Sequence, residues 1–281
     1  MTQDNSDQAT FWTSDAGGKW VAQQQILDQL MQPVLDGVLN RAKITQGQAV
    51  LDIGCGTGDS SLRAADLVGA QGRVLGADIS PTMLGLARQR AADHPNVAFV
   101  EADAAQYAFG PAQFDHLISR FGVMFFTDPI AAFSNMRSGL KPGAYVTFAT
   151  WGQITNNPWF TAAAQAAKQQ LGAPPPTDPD APGPFSMRNV DQTVAILSQA
   201  GFDHIRADVD PLHLTPQGDA EAVAQMATSI GPAARTLDYF KGTPADRAAI
   251  VSYAAQNFQR YETSHGLRIP AEINFFSARC P

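Results

Sequence analysis

Between residues 45 and 150, apolar and polar positions follow a repeated order: a short apolar run, a turn, and then a longer stretch with apolar residues at helical spacing. This alternation is typical of βαβ units, in which helices connect parallel strands. One helix is clearly bounded, with Ser80 as N-cap and Pro81 at the first helical position. The predicted strands are residues 48–53, 73–78, 97–101, 114–119 and 143–150.

After Trp151 the pattern changes. Helices are predicted over 156–170 and 191–200, the latter ending at Gly201, and a proline-rich stretch, 173–185, is predicted to be a stiff extended loop. The sheet then resumes with strands over 202–214 and 273–279, separated by a second helical insertion at about 219–265. We therefore predict an α/β fold, a Rossmann-like, doubly wound sheet of seven mostly parallel strands.

The domain organisation follows from the same pattern. Residues 1–40 are predicted to form an N-terminal arm and helix, the helix covering about 20–39, and residues 41–281 the sheet domain. Insertions at about 151–185 and 214–266 would overhang the strand ends and form a lid. The arm contains FWTSDAGGKWV (11–21), with a Gly pair between two tryptophans, and either folds over a pocket mouth or packs as a structural arm.

Composition narrows the function classes. The formal net charge is −7 and Lys and Arg are not clustered, which argues against nucleic acid as a partner. The chain has two cysteines, Cys55 and Cys280, too few for a disulfide framework or a Cys-rich zinc site. The N-terminus is polar and acidic, and no apolar run approaches the roughly 20 residues that span a bilayer. We expect a cytoplasmic protein without a membrane span.

The most informative segment is the Gly-rich turn VLDIGCGTGDS (50–60), which runs from a strand into a helix. Its glycines allow a sharp turn and close approach of a ligand, and the helix start offers free N–H groups to an anion. Such turns also open dinucleotide-binding folds, but those space their glycines GxGxxG, whereas this turn is GxGxG. Asp52 would repel a pyrophosphate and attract an ammonium group. These features favour S-adenosylmethionine, with its amino-acid end at the turn.

Two further acids end the next two predicted strands. Asp78 is expected to accept the ribose hydroxyls, and Asp103 the adenine amino group, with Ile79, Met83 and Ala104 as apolar walls. Ligands of open parallel sheets bind at the carboxyl ends of the strands, so the positions agree with the chemistry.

The segments VLDIGCGTG, GADIS, EADA, FDHLISRFGVMFF and LKPGAYVTF, in this order, resemble the class I S-adenosylmethionine-dependent methyltransferases. The resemblance is to the small-molecule branch that contains the ubiquinone/menaquinone-biosynthesis methyltransferases, and it covers about residues 12 to 151. It implies that Ser119, at the end of the fourth strand, lies beside the methionine portion. The candidate cofactor-binding residues are Asp52, Gly54, Cys55, Gly56, Thr57, Asp78, Ile79, Met83, Asp103, Ala104, Ser119 and Trp20.

The acceptor side is less defined, because transfer from a sulfonium needs alignment and exclusion of water more than a dedicated base. No catalytic base is assigned. The acceptor-side candidates are Arg120, His213, His265 and Trp159. No metal-binding pattern is evident, and we expect none. The insertions supply a mainly apolar lining that suits a small, apolar or ring-shaped acceptor. That lining comprises Trp151, Asn156, Asn157, Trp159, Phe160, Met226, Ile230 and Tyr239.

Arg120 stands out because it interrupts the apolar run ISRFGVMFF (118–126). It has two interpretations: a structural cation paired with a neighbouring acid such as Asp128, or a contact to a carboxylate of acceptor or cofactor.

The predicted function is methyl transfer from S-adenosylmethionine to a small, largely apolar molecule. The alternatives are a nicotinamide-dependent oxidoreductase and a protein that binds S-adenosylmethionine without transferring its methyl group. The acceptor, the methylated atom and the oligomeric state stay open.

Overall fold

The computed structural model describes residues 5–281; residues 1–4 of the predicted arm lie outside the described part. Its strands, in chain order, are β1 (Ala49–Ile53), β2 (Arg73–Asp78), β3 (Val97–Glu101), β4 (Phe114–Arg120), β5 (Leu140–Trp151), β6 (Asp203–Leu214), β7 (Glu262–Thr263), β8 (Gly266–Leu267) and β9 (Ile269–Arg279). All predicted strands are present, and the fifth and last are longer than their apolar runs indicated.

Seven of these strands form one sheet in the order β3-β2-β1-β4-β5-β9-β6, and β7 pairs with β8 in a separate hairpin. Strands β3, β2, β1, β4 and β5 are mutually parallel, while β9 runs antiparallel to both β5 and β6. The predicted Rossmann-like, seven-stranded and mostly parallel sheet is confirmed. The chain order reverses at β1 and β4, so their carboxyl ends border the crevice in which such sheets bind ligands.

The helices flank this sheet. They are α1 (Ser6–Thr13), α2 (Asp15–Ala22), α3 (Gln24–Ala42), α4 (Asp59–Val68), α5 (Pro81–Arg90), α6 (Pro129–Ser138), α7 (Pro158–Leu171), α8 (Val190–Gln199), α9 (Ala220–Ser229), α10 (Pro232–Phe240) and α11 (Pro244–Gln259). The single helix expected over 20–39 is wrong in its start: α2 ends before Gln23, and α3 begins after it. As predicted, α5 has Ser80 as N-cap, whose hydroxyl accepts from Met83 N–H.

The core lies on both faces of the central strands. Every residue of β1 is buried, as expected for a parallel strand covered by helices on both sides. Helix α3 covers one face with residues every three or four positions, among them Leu30, Val34 and Val38, all fully buried. This packing fixes α3 on one face of the sheet.

The segments after β5 and after β6 contain α7 and α9 to α11, and these four helices pack on one another. Residues 172–189 between α7 and α8 form turns and extended chain, as the prolines predicted. Within residues 5–281, no helix is long and apolar enough to cross a bilayer.

Candidate functional site

The Gly-rich turn connects β1 to α4 at the carboxyl edge of the sheet. Gly54, Gly56 and Gly58 have φ angles of 66°, 54° and 91°, in the left-handed region that glycine adopts at low cost. The N–H of Gly54 donates to Ala77 O at 2.8 Å, which anchors the turn to β2. Alternation of left-handed glycines thus turns the chain sharply between two buried elements.

The chain after β4 packs directly on this turn. A Cβ added at Gly54 would lie 2.5 Å from Gly122 Cα, and one added at Gly122 would lie 2.4 Å from Ile53 O. Ser119 supports the same junction: its hydroxyl donates to Ile53 O at 2.7 Å and accepts from Gly122 N–H at 3.1 Å. The fully buried Ser119 hydroxyl therefore ties β4 to the end of β1.

Asp52 lies on β1 under the turn and is completely buried. Its Oδ2 accepts the hydroxyls of Ser60 and Ser61, each at 2.6 Å. Its Oδ1 has no hydrogen-bond partner among residues 5–281. Burial raises the pKa of Asp52 to about 6, and the two serine hydroxyls and Arg120 oppose the shift. An unpartnered buried carboxylate oxygen is costly, and a cationic group beside it would remove that cost.

Asp78 ends β2 and is 6% exposed. Its oxygens accept two backbone N–H groups, that of Gly56 at 2.8 Å and that of Ser80 at 2.9 Å. Burial raises its pKa, and these backbone hydrogen bonds limit the rise. Asp78 therefore fixes the Gly-rich turn to the start of α5. The same buried region holds Cys55, whose thiol pKa burial raises well above its usual value, so the thiol is neutral.

Asp103 follows β3, and its carboxylate already accepts hydrogen bonds from other parts of the chain. Its Oδ1 accepts from Asn5 Nδ2 at 2.8 Å and from Ala105 N–H at 3.0 Å. Asn5 is 5% exposed, and its Oδ1 accepts from the N–H of Thr127 at 2.9 Å. One carboxamide thus joins the start of the arm to the third of the three predicted acids.

The arm also contacts the start of α5. The hydroxyl of Ser80 donates to Trp12 O at 2.8 Å, and a Cβ on Gly17 would lie 2.2 Å from the same oxygen. The Trp12 ring meets those of Trp20 and Phe125 edge to face, at centroid distances of 5.9 and 5.2 Å. Trp12 thus packs on the chain after β4, and Trp20 packs on Trp12.

The apolar residues named as walls from the sequence are buried or half-buried. Met83 and Ala104 are buried, while Ile79 is half-buried. Thr57 is 9% exposed, and its carbonyl accepts from Arg90 Nη1 at 2.8 Å. The sheet order thus brings Asp52, Asp78 and Asp103 to the ends of three adjacent strands, as predicted.

Arg120 ends β4 and forms an ion pair with Asp59 at 2.9 Å and a longer one with Asp28 at 3.6 Å. The suggested partner, Asp128, is wrong, because its Oδ1 caps α6 by accepting from Ala131 N–H at 2.9 Å. Arg90 joins the same group with Asp28 at 2.9 Å and Asp59 at 3.8 Å. Burial, followed by repulsion from Asp59, raises the pKa of Asp28.

Aromatic rings continue from the end of β4 into the first insertion. Phe121 has φ 69°, which is unusual for a bulky residue, and its ring is stacked on Trp151 with a centroid distance of 4.5 Å and an interplanar angle of 2°. Trp151 meets Phe160 edge to face at 4.9 Å, and Phe160 meets Phe185 at the same distance. These rings form a continuous row beside the Gly-rich turn.

The other acceptor-side candidates lie elsewhere. Trp159 is 3% exposed in the first turn of α7. His213 is exposed near the end of β6, the edge strand, which is separated from β4 by β5 and β9. His265 is exposed in the turn between β7 and β8. Among residues 5–281, no cluster of three or more His, Cys, Asp or Glu has a metal-binding arrangement.

Sequence reasoning missed several residues of this region. Ser60 and Ser61 had a usable signal, since a serine pair in the first helical turn after a Gly-rich loop lies close to the preceding strand end. Asn5, Asp28 and Arg90 had none, because they reach the site from distant parts of the chain.

Comparison with known proteins finds a methyltransferase domain in the first half of the chain. Residues 50–143 match the family model described as "Methyltransferase domain". The ubiquinone/menaquinone biosynthesis C-methyltransferase UbiE of Coxiella burnetii is 34% identical over 126 residues, 44% of this chain and 50% of that protein. The demethylmenaquinone methyltransferase of Staphylococcus epidermidis is 32% identical over 118 residues, 42% and 49% of the two chains. The chain thus spans about half the length of the curated relatives it matches.

Among solved structures, phosphoethanolamine N-methyltransferase 2 of Haemonchus contortus, in complex with phosphomonomethylethanolamine and S-adenosylhomocysteine, has a TM-score of 0.58 at 21% identity. The match covers 99% of this chain and 59% of that chain, and at this identity it concerns the fold. The resemblance inferred from the sequence motifs is confirmed: residues 50–143 match a methyltransferase domain, and part of the chain is similar to UbiE.

Proposed function

We propose that this protein transfers a methyl group from S-adenosylmethionine to a small, largely apolar molecule by direct in-line displacement. The observation that carries the proposal is the placement of Asp52, Asp78 and Asp103 at the ends of three adjacent strands, with one fully buried oxygen of Asp52 unpartnered within residues 5–281. The match of residues 50–143 to a methyltransferase domain supports this function over the nicotinamide-dependent alternative.

The residues present fit the cofactor. The unpartnered Asp52 Oδ1 suits the ammonium of the methionine end, which would remove the cost of a buried carboxylate. Asp78 keeps acceptor capacity for ribose hydroxyls, since each carboxylate oxygen accepts more than one hydrogen bond. Asp103, with Met83 and Ala104 nearby, would hold the adenine.

When bound, S-adenosylmethionine supplies a methyl group on a sulfonium, a leaving group that needs no further activation. The protein's own work is then to align the acceptor and to exclude water. The aromatic row of Phe121, Trp151 and Phe160, of which Trp151 and Phe160 are buried, would give an acceptor bound beside the turn an apolar surface. We propose that α7 and α9 to α11, in the two insertions, form the lid over it.

The acceptor class follows from this apolar surface and from the relatives. The names of the two curated relatives refer to ubiquinone and menaquinone biosynthesis and to demethylmenaquinone, which supports a ring-shaped, largely apolar acceptor here. No cationic cluster lines the row within the described residues, so nucleic acid is not proposed as a partner. The proposal includes a cytosolic location, which the free thiols of Cys55 and Cys280 favour.

The test is the affinity of S-adenosylhomocysteine for Asp78→Ala, measured by calorimetry. The variant loses a charge-assisted acceptor, so the binding free energy should weaken by about 1 to 3 kcal/mol. Asp93→Ala is the matched control: Asp93 is exposed and follows the carboxyl end of α5, at the opposite edge of the sheet, and should bind as the parent protein does.

A thermal-shift comparison of S-adenosylhomocysteine, NAD and NADP separates the two cofactor classes. Stabilisation by a nicotinamide cofactor alone would overturn the proposal. Tight binding of S-adenosylhomocysteine without a methylated product across a broad acceptor panel would instead indicate a binding protein.

A further inference from the structure

The peptide unit between Thr57 and Gly58 lies in the middle of the Gly-rich turn and is held at both ends. Its carbonyl oxygen, on Thr57, accepts from Arg90 Nη1 at 2.8 Å. Its N–H, on Gly58, donates to Cys55 O at 2.9 Å. Both flanking glycines, Gly56 and Gly58, have positive φ, where glycine moves between conformations at little cost. These two bonds therefore fix the orientation of the peptide plane.

Arg90 is well placed for this role, because it comes from the last turn of α5 and is itself constrained. Its Nη2 pairs with Asp28 of α3 at 2.9 Å and with Asp59 at 3.8 Å. The side chains of Arg90 and Asp28 are only 22% and 14% exposed. A guanidinium has five N–H donors in a fixed plane, so it can bind a carbonyl and a carboxylate together.

Asp28 connects this clamp to the rest of the molecule. It also pairs with Arg120 at 3.6 Å and accepts from the side chain of Gln24, at the start of α3. The helix that follows the arm, the end of β4 and the Gly-rich turn are therefore joined through one carboxylate.

We infer that Arg90 is a positioning residue for the Gly-rich turn: it locks the Thr57–Gly58 peptide in the orientation that receives the methionine end of the cofactor, with Asp28 as its counter-ion. The inference rests on the proposed function for its ligand. It concerns a residue that touches neither the three acids nor the aromatic row. The lock itself is a property of the unliganded chain, so it is testable separately.

The first measurement is amide hydrogen exchange of Gly58 in the unliganded full chain. In Arg90→Gln the carbonyl loses its charged donor, so the Gly58 N–H should exchange about tenfold faster or more. Arg88→Gln is the matched control: Arg88 lies on the same helix, and its long bond of 3.4 Å goes to Phe99 O on β3. Unchanged exchange at Gly58 in Arg90→Gln, or an equal increase in Arg88→Gln, overturns the lock.

The second measurement is calorimetry with S-adenosylhomocysteine. Arg90→Gln should bind about tenfold more weakly, Arg90→Lys should recover part of that loss, and Arg88→Gln should bind normally. Faster Gly58 exchange with unchanged affinity overturns the role in cofactor binding. Faster exchange in a protein whose parent form does not bind S-adenosylhomocysteine leaves the lock standing and refutes the proposed function instead.

Because Arg90→Gln could impair folding, Asp28→Asn serves as a second variant that tests the same clamp. It keeps the shape of the side chain and removes its charge, which weakens the pair with Arg90 and also the longer pair with Arg120. Gly58 exchange and S-adenosylhomocysteine affinity should change in the same direction as in Arg90→Gln, and by less. Combined with Arg90→Gln, it should add little, because both changes act on one clamp. If the effects of the two substitutions on Gly58 exchange and on affinity were fully additive, Arg90 and Asp28 would not act through one clamp.

Discussion

The side-chain amide nitrogen of Asn5 lies 2.8 Å from a carboxylate oxygen of Asp103, a residue 98 positions later in the chain. Asp103 is the acid proposed to accept the adenine amino group. An amide N–H₂ and an adenine N–H₂ are similar donors, so under the proposed function the arm and the cofactor would donate to the same carboxylate. We therefore expect the arm to compete with the cofactor at this carboxylate, while it packs beside the proposed site through Trp12.

Asn5→Ala should accordingly strengthen S-adenosylhomocysteine binding. Removing the internal donor frees Asp103, and a neutral-to-charged hydrogen bond of this kind corresponds to a gain of up to about tenfold in affinity. Asp103→Ala should change the affinity in the opposite direction. Calorimetry with both variants decides the point.

Thr10→Ala, an exposed position on α1, is the control and should bind normally. Weaker binding in Asn5→Ala would show that the carboxamide assists the cofactor rather than competes with it.

The sheet order and the three acids could be predicted because each depends on local pattern. Strand ends follow from apolar runs and turns, and acids at the ends of neighbouring parallel strands must meet at one edge. Asn5 and Arg90 could not be found in this way. They reach the site across 98 and 33 residues of sequence, and their positions depend on how helices pack on the sheet rather than on any local signal.

Arg120 shows the same limit. Its sequence neighbour Asp128 is a plausible partner for a cation, but that carboxylate caps a helix eight residues on. The actual partners, Asp59 and Asp28, come from the turns and helices that surround the strand end. A pairing between charges far apart in sequence requires the three-dimensional packing.

The burial of Asp52 predicts a pH dependence of cofactor binding. Its pKa in the unliganded fold is about 6, above the ordinary value of 3.8, because the charged form is desolvated. An ammonium beside it would favour the charged form, so binding should release a proton near pH 6. The affinity for S-adenosylhomocysteine should then rise by up to about tenfold per pH unit below 6 and level off above about 7.

The raised pKa of Asp52 also makes the stability of the unliganded protein depend on pH. Stability should fall as pH rises, whereas cofactor affinity should rise. A raised pKa in the folded state means that the stability contribution is fully present below pH 3.8 and is lost as pH rises through 6. Asp52→Asn should therefore stabilise the unliganded protein at pH 8, by roughly 3 kcal/mol at most, while its affinity becomes weak and independent of pH between 5 and 7. Urea unfolding and calorimetry test the two effects, and a pH profile in Asp52→Asn like that of the parent protein would assign the titration to another group.

Arg120→Ala is expected to destabilise the fold. The Arg120 and Asp59 side chains are 14% and 18% exposed, so removing the arginine leaves a largely buried Asp59 with only its longer pair to Arg90. We expect a loss of about 2 kcal/mol in the free energy of unfolding, between the values for exposed and fully buried pairs. Arg63→Ala breaks an ion pair of similar length, 2.8 Å, whose side chains are 42% and 41% exposed, and should cost less than about 1 kcal/mol. If Arg120→Ala kept its stability but lost affinity for S-adenosylhomocysteine, the result would instead support a direct contact between Arg120 and the cofactor.

The contact between Gly122 and the Gly-rich turn predicts a steric effect on the site. A Cβ at position 122 would lie 2.4 Å from Ile53 O and 2.6 Å from Gly54 Cα, and both neighbours are backbone atoms that cannot rotate away. Gly122→Ala should therefore push the chain after β4 away from the turn, with a loss of about 1 to 3 kcal/mol in stability and at least a tenfold loss in S-adenosylhomocysteine affinity. Gly85→Ala is the matched control, because a Cβ there meets no atom within 4 Å, and in the interior of α5 alanine should stabilise the helix by about 0.5 to 1 kcal/mol. Normal affinity in Gly122→Ala would mean that the turn tolerates displacement, and that the close approach of the two glycines serves packing alone.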